Sequence, residues 1–107
     1  MKDQPGLDSE VPTLFIGKWT VQIMFLLKER SHRHGELRRR LGRISQRMLT
    51  RTLRNLTSAG LISRRVTQVR PVAVEYVLTP LGRTFIVPLN GICRWAHRHR
   101  RALRALA

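Results

Sequence analysis

The stretch from Ile44 to Gly60 admits one regular structure. Its apolar residues Met48, Leu49, Leu53 and Leu56 recur at helical spacing and fall on one side of a helix. Arg47, Thr50, Arg51, Arg54 and Ser58 fall on the opposite side, counting about 100° per residue. Ser45 stands where an N-cap side chain accepts a free backbone N–H, and Ile44 and Leu49 occupy the positions of a hydrophobic staple around it. Gly60 stops the segment, and Gly42 stops a shorter one before it, because glycine most easily takes the left-handed conformation after a helix. One face of this helix packs, and the other offers guanidinium, amide and hydroxyl groups.

The flanking patterns supply what it packs against. Over residues 18–28, Trp19, Ile23, Leu26 and Leu27 share a helical face that Met24 and Phe25 widen, which predicts a helix buried on more than one side. Residues 35–41 read as a short helix with Leu37 and Leu41 inward and Arg38, Arg39 and Arg40 outward. Beyond Gly60, residues 61–67 and 72–79 are rich in β-branched side chains, and Arg70-Pro71 interrupts them as a turn does. Val74, Tyr76 and Leu78 alternate with Ala73, Glu75 and Val77, so the hairpin is expected to have one buried face. Thr79-Pro80 is an N-cap followed by proline at the first helical position. The helix it opens carries Leu81, Phe85, Leu89, Ile92, Trp95 and Ala96, with Pro88 expected to bend it. Residues 1–12, with two prolines, Gly6 and three of the acids, read as a loose leader, and residues 13–16 as a short helical segment. One domain over 13–107 follows, since 107 residues suffice for a single modest core.

Charge narrows the choice of partner. Lys and Arg total 21 against six acids, a formal net charge of +15 that draws in polyanions: nucleic acid, an anionic membrane face or an acidic protein. Apart from Lys2, Lys18 and Lys28 every one of these cations is arginine, whose planar fork suits phosphates and guanine edges. Genome base composition accounts for part of that excess, but the balance favours nucleic acid. Cys93 is the single cysteine, so no intramolecular disulfide forms and a reducing compartment is expected. No run of about 18 apolar residues exists, and Asp3, Asp8 and Glu10 stand where a signal peptide would be basic. A cytoplasmic protein with no membrane partner is the expectation.

Helix, short helix, tight turn, capped helix and hairpin is the order of a winged helix-turn-helix, a mainly α fold with a small β-hairpin. The major groove of duplex DNA admits one helix, which presents its first turn and polar face to base edges. Ser45, Gln46, Arg47, Thr50, Arg51 and Arg54 are the candidate contacts. Gln46 and Arg47, in the first turn, are the candidate base readers, and Arg51 and Arg54 the phosphate anchors. Arg64 and Arg65 approach the hairpin tip, and Arg70 within it is the candidate probe of an adjacent minor groove. Charge alone would equally suit arginines that only solvate a hairpin; the helices ahead of it favour binding.

Lys18-Trp19, Gly35-Glu36-Leu37, Ile44-Ser45-Gln46-Arg47-Met48-Leu49, Leu53 to Leu56, Gly60-Leu61, Arg64, Pro71, Val74-Glu75-Tyr76, Leu78-Thr79 and Leu81-Gly82 together resemble an HxlR-type regulator. The resemblance spans roughly residues 17 to 96 in order and spacing. It implies a dimeric winged-helix transcription factor, similar in architecture to MarR-type regulators, that binds double-stranded DNA as a homodimer through its N-terminal and last helices. Phe15, Leu89, Ile92 and Trp95 are the residues that resemblance places at the dimer interface. The stripe of Leu89, Ile92 and Trp95 suits a helix-to-helix seam on its own pattern, and suits plain core equally. An isologous pair would set two recognition helices about 34 Å apart. Three departures stand out. Residues 8–15 lack the cysteine with which some members sense oxidants, so the resemblance does not bring redox sensing by that route. His34 replaces a common aromatic, and the chain after Trp95 is longer and more basic than the pattern.

Other constellations carry less. Cys93 and His97 are four apart on a helix, but third and fourth metal ligands are not evident, and Cys93 reads as a small buried apolar residue. His32 with His34, and His97 with His99, read as loop and surface residues, and Glu75 as a structural partner for an arginine. No nucleophile with a base, carboxylate pair or phosphate-cradling loop appears, so neither an enzyme nor a cofactor or metal is expected. The alternative function is an RNA- or ribosome-associated basic winged-helix protein; a further one is a winged helix whose basic face docks an acidic protein. RNA readers use exposed aromatics, whereas Trp19, Tyr76 and Trp95 are all expected on apolar faces. The operator, the sign of regulation and any small-molecule effector are not encoded in these patterns.

Overall fold

A computed structural model of the chain describes residues 17–105; the expected leader, the segment 13–16 and Phe15 lie outside the described residues. The elements are α1 (Lys18–Glu29), β1 (His32–Arg33), α2 (His34–Leu41), α3 (Gln46–Ser58), β2 (Ile62–Val66), β3 (Val74–Leu78), α4 (Pro80–Arg98) and α5 (Arg100–Arg104). The fold is mostly helical with one antiparallel sheet, ordered β1-β3-β2, and has the expected winged helix-turn-helix architecture.

α1 is the hub. Val21, Ile23, Met24, Phe25, Leu26 and Leu27 are all buried, as a helix apolar around most of its circumference requires. Leu37 and Leu41 of α2, Leu49, Leu53 and Leu56 of α3, Ile62, Leu78 and the inner face of α4 close one core around it. Each fully buried leucine contributes about 1.5–3 kcal/mol relative to exposure.

Helix ends form where capping chemistry stands. Ser45 Oγ accepts from the backbone N–H of Met48 at 3.0 Å, and Ile44 and Leu49 on either side of the cap are both buried. Gly42 at φ 76° and Gly60 at φ 80° take the left-handed turns out of α2 and α3. Thr79 caps α4 by accepting from the N–H of Gly82 at 3.0 Å, while its hydroxyl donates to the carbonyl of Gly60 at 2.6 Å. That one side chain ties the start of α4 to the end of α3. α4 continues through Pro88 to Arg98, and the basic end forms the separate helix α5.

The packing face of α3 differs from expectation at one position: Met48 is 37% exposed, and Thr52 is buried in its place. Helical geometry explains this, because Thr52 lies about 60° from Leu49 around the axis and Met48 about 100°. The Thr52 hydroxyl satisfies itself by donating to the Met48 carbonyl at 2.8 Å.

A third strand adds to the hairpin. β1 pairs with β3 through His32↔Tyr76 and Arg33↔Glu75, a two-residue strand too short to show a period. β3 is therefore the central strand, bonded to β2 in register from Ile62↔Leu78 to Val66↔Val74. Within the β2–β3 hairpin strands only Leu78 and Ile62, at the base, are buried; the rest of β3 is half-buried on both faces rather than alternating, since the outer hairpin projects past the core.

Candidate nucleic-acid interface

α3 turns its polar face to solvent. Ser45, Gln46, Arg47, Thr50, Arg51 and Arg54 are all exposed, over leucines that face the core. The acids within the described residues are taken up elsewhere. Glu29 pairs with Arg40 at 2.8 Å, Glu36 with Arg30 at 3.6 Å and Glu75 with Arg65 at 2.9 Å. A hydrogen bond from Arg40 holds the Glu29 carboxyl below its usual range, the Arg33 backbone N–H does so for Glu36, and Arg65 for Glu75. Among the described residues, Arg47, Arg51 and Arg54 accordingly have no acidic partner, and their charge is available to an external anion.

α2 braces this face from the side. Arg38 Nη1 donates to Gln46 Oε1 at 3.2 Å, and His34 Nε2 lies 3.3 Å from Thr50 Oγ1. Neither contact was legible in the sequence, because the angle between α2 and α3 is set by the packing of their leucines and not by any local period.

The two arginines on the approach to the wing part company. On β2, Arg65 stands opposite Glu75 and is held by it, whereas Arg64 stands opposite Tyr76 on the other face. Arg64 and Tyr76 line a cleft of about 330 Å³ between α3 and the sheet, together with Thr50, Arg54, Thr57 and Ser58 over Leu53. Two cations from two elements thus converge on one hollow. At the tip, the Thr67 N–H donates to the Ala73 carbonyl at 2.8 Å and the Ala73 N–H to Thr67 Oγ1 at 2.9 Å, closing a loop on which Arg70 is exposed.

α4 has two distinct faces. Gly82, Ile86, Leu89, Cys93 and Ala96 are buried in the core, so Leu89 lies inward with them. Pro88, Gly91, Ile92 and Trp95 line an apolar hollow of about 440 Å³ on the outside. Trp95, expected on an apolar face like Trp19 and Tyr76, is 41% exposed and stacks on His99 with ring centroids 5.0 Å apart. Trp19 and Tyr76 are half-buried against the core. Burial pushes the Cys93 thiol up to about 11, which leaves it protonated at neutral pH. Among the described residues no group of three His, Cys, Asp or Glu side chains could hold a metal ion.

His32, expected at the surface with His34, is 1% exposed, because the β1–β3 pairing covers it. Its Nδ1 lies 2.9 Å from the Arg30 carbonyl, and Arg40 donates to its Nε2 at 3.2 Å. Arginine only donates, so Nε2 is the acceptor and the ring is neutral with its proton on Nδ1. No helix among the described residues is long and apolar enough to cross a membrane.

Kinship agrees with this geometry. An HTH-type transcriptional regulator of Methanothermobacter thermautotrophicus is 47% identical over 79 residues, 74% of this chain and 60% of that protein's length. The chain thus spans less than two thirds of that relative. A solved MarR-family regulator of Enterococcus faecalis V583 superposes with TM-score 0.71 at 34% identity, covering 89% of this chain and 86% of that one. The reduced form of the transcriptional regulator YodB from B. subtilis gives TM-score 0.70 at 29% identity over 74% and 78% of the two chains. Residues 14–103 match the HxlR-like helix-turn-helix family, and the chain is a member of it.

Proposed function

We infer that this chain regulates transcription by binding duplex DNA sequence-specifically as a homodimer, with α3 in the major groove and the β2–β3 wing along the adjacent minor groove. One observation carries the reading: α3 exposes Gln46, Arg47, Thr50, Arg51 and Arg54 on one face, and its arginines have no acidic partner among the described residues. Gln46 and Arg47, in the first turn, read base edges. Arg51 and Arg54 sit further along and hold phosphates, with Arg54 and Arg64 supplying charge from both walls of the α3–wing cleft. Arg70 at the tip probes the minor groove, where a narrow wall spacing concentrates negative potential. The outer face of α4 at Ile92 and Trp95 forms the seam with a second copy, and sets two α3 helices about 34 Å apart on half-sites one turn of DNA from each other.

Selecting bound duplexes from a random pool tests this directly. A palindromic site with half-sites about one turn apart is expected. Arg47→Ala is expected to relax preference at one base pair by about 1–3 kcal/mol, and Arg54→Ala to weaken all duplexes alike while lowering the salt slope by about one. Equal effects of both variants on selected and random DNA would overturn the division of roles, and preference for structured RNA over duplex would overturn the reading itself.

A further inference from the structure

We propose that Arg38, on α2, is a specificity-determining residue that acts through Gln46, turning its amide into a donor-only reader that selects guanine over adenine. The inference rests on the reading that α3 enters the major groove.

Arg38 Nη1 is 3.2 Å from Gln46 Oε1. A guanidinium has five N–H donors and no acceptor, so only the amide oxygen can face it. The usual ambiguity between the oxygen and nitrogen of a glutamine amide is resolved here by its neighbour. Oxygen turns toward Arg38, and Nε2, with its two N–H groups, is left without a partner among the described residues. The backbone holds both ends of this contact. Arg38 lies in the last turn of α2, where its carbonyl accepts from Gly42 N–H at 3.0 Å, and Gln46 is the first residue after the Ser45 cap. One turn further along α3, His34 Nε2 meets Thr50 Oγ1 at 3.3 Å, a second strut from the same helix.

The consequence follows from the groove edges. An unbraced glutamine reads adenine with both atoms, donating to N7 and accepting from the N6 amino group. That arrangement would place the N6 donor and the Arg38 guanidinium on one oxygen, two positive groups side by side. Guanine presents two acceptors, N7 and O6, and no donor at that edge, so an Nε2 N–H finds an acceptor while nothing competes with Arg38 for Oε1, and the negative edge also attracts the nearby guanidinium. Arg38 thereby converts the glutamine preference from adenine to guanine without touching a base.

The test is selection from a random duplex pool with the full chain and its Gln46→Ala, Arg38→Ala and Arg38→Lys variants. The pair at which Gln46→Ala flattens the preference is the one Gln46 reads. There the parent protein is expected to favour guanine over adenine by about tenfold, within the range that one mismatched base pair costs. Arg38→Ala is expected to bring that ratio to one or below, and Arg38→Lys, which keeps a cationic donor, to retain part of it. Arg38 is exposed, so the fold is expected to survive, and the ratio is insensitive to any phosphate contact the side chain also makes. A parent protein that favours adenine at that pair, or an Arg38→Ala variant that keeps the parent ratio while losing affinity uniformly, overturns the inference and leaves duplex binding standing. Failure of the parent protein to select any duplex overturns both.

Discussion

Arg40 donates from Nη1 to Nε2 of His32 at 3.2 Å, and the same nitrogen reaches Glu29 Oε1 at 2.8 Å. One guanidinium thus joins the C-terminal end of α1, the strand β1 and the outer face of α2. The joint works only while His32 is neutral, since a protonated ring would turn a second N–H toward Arg40.

Stability is therefore expected to depend on His32 below neutral pH. Burial, chiefly, and then the Arg30 and Arg40 charges lower its pKa from 6.5, against the Arg30 carbonyl and Glu36, which raise it. Between 6.5 and its lower native value, the unfolded chain binds more protons than the folded one, so stability falls as pH falls through that window and is complete above 6.5. Urea midpoints from pH 7.5 to 5 measure this. The parent curve should fall more steeply with acid than that of His32→Gln, and parallel curves would show that His32 does not titrate on unfolding.

His32 also marks where sequence reading stops. The helices α1 to α4 were legible because their signals are local: apolar residues at helical spacing, Ser45 and Thr79 at caps, Gly42 and Gly60 at left-handed exits. The polar face of α3 followed from the same periodicity. The contacts of His32, Arg38 and His34 run from one element to another, eight residues apart for Arg38–Gln46 and His32–Arg40 and 16 for His34–Thr50, and no helical or strand period encodes that. Met48 and Thr52 show the same limit on a finer scale, since both are near the edge of the buried arc and only the packed neighbours decide which enters.

The wing arginines are expected to differ in binding. Arg65 is held at 2.9 Å by Glu75, and its charge is compensated, while Arg64 faces the cleft beside Arg54. Arg64→Ala is expected to reduce duplex affinity at low salt and to lower the salt slope by about one, the signature of one lost phosphate contact. Arg65→Ala should change the slope much less. Titrations of both variants at several salt concentrations decide it, and equal slopes would place Arg65 on the DNA as well.

Gly82 is fixed by space. A Cβ there would stand 2.0 Å from the Leu61 carbonyl oxygen, which itself accepts from the Thr79 N–H at 3.1 Å. Either backbone has to move, so Gly82→Ala is expected to cost about 1–3 kcal/mol, more than any gain in helix propensity. Gly35→Ala, whose Cβ would meet only Arg39 Nη1 at 3.6 Å, is expected to be neutral or to stabilise by up to about 1 kcal/mol. Denaturant unfolding of the two variants provides the comparison, and a Gly82→Ala protein as stable as the parent would show that the α3–α4 junction yields freely.

Leu89 and Trp95 separate core from seam on a single helix. Leu89 is fully buried within the protomer, whereas Trp95 is 41% exposed beside Pro88, Gly91 and Ile92. Truncating Leu89 leaves a cavity in the core, and Leu89→Ala is expected to cost about 2–5 kcal/mol of folding stability. Trp95→Ala removes a side chain that is 41% exposed in the single chain, so it is expected to spare the protomer fold and to shift sedimentation toward monomer. The two variants must therefore fail in different assays: Leu89→Ala in thermal unfolding, Trp95→Ala in mass. A Trp95→Ala protein that unfolds like Leu89→Ala would make Trp95 part of the core, and one that sediments like the parent would move the seam to another face of α4.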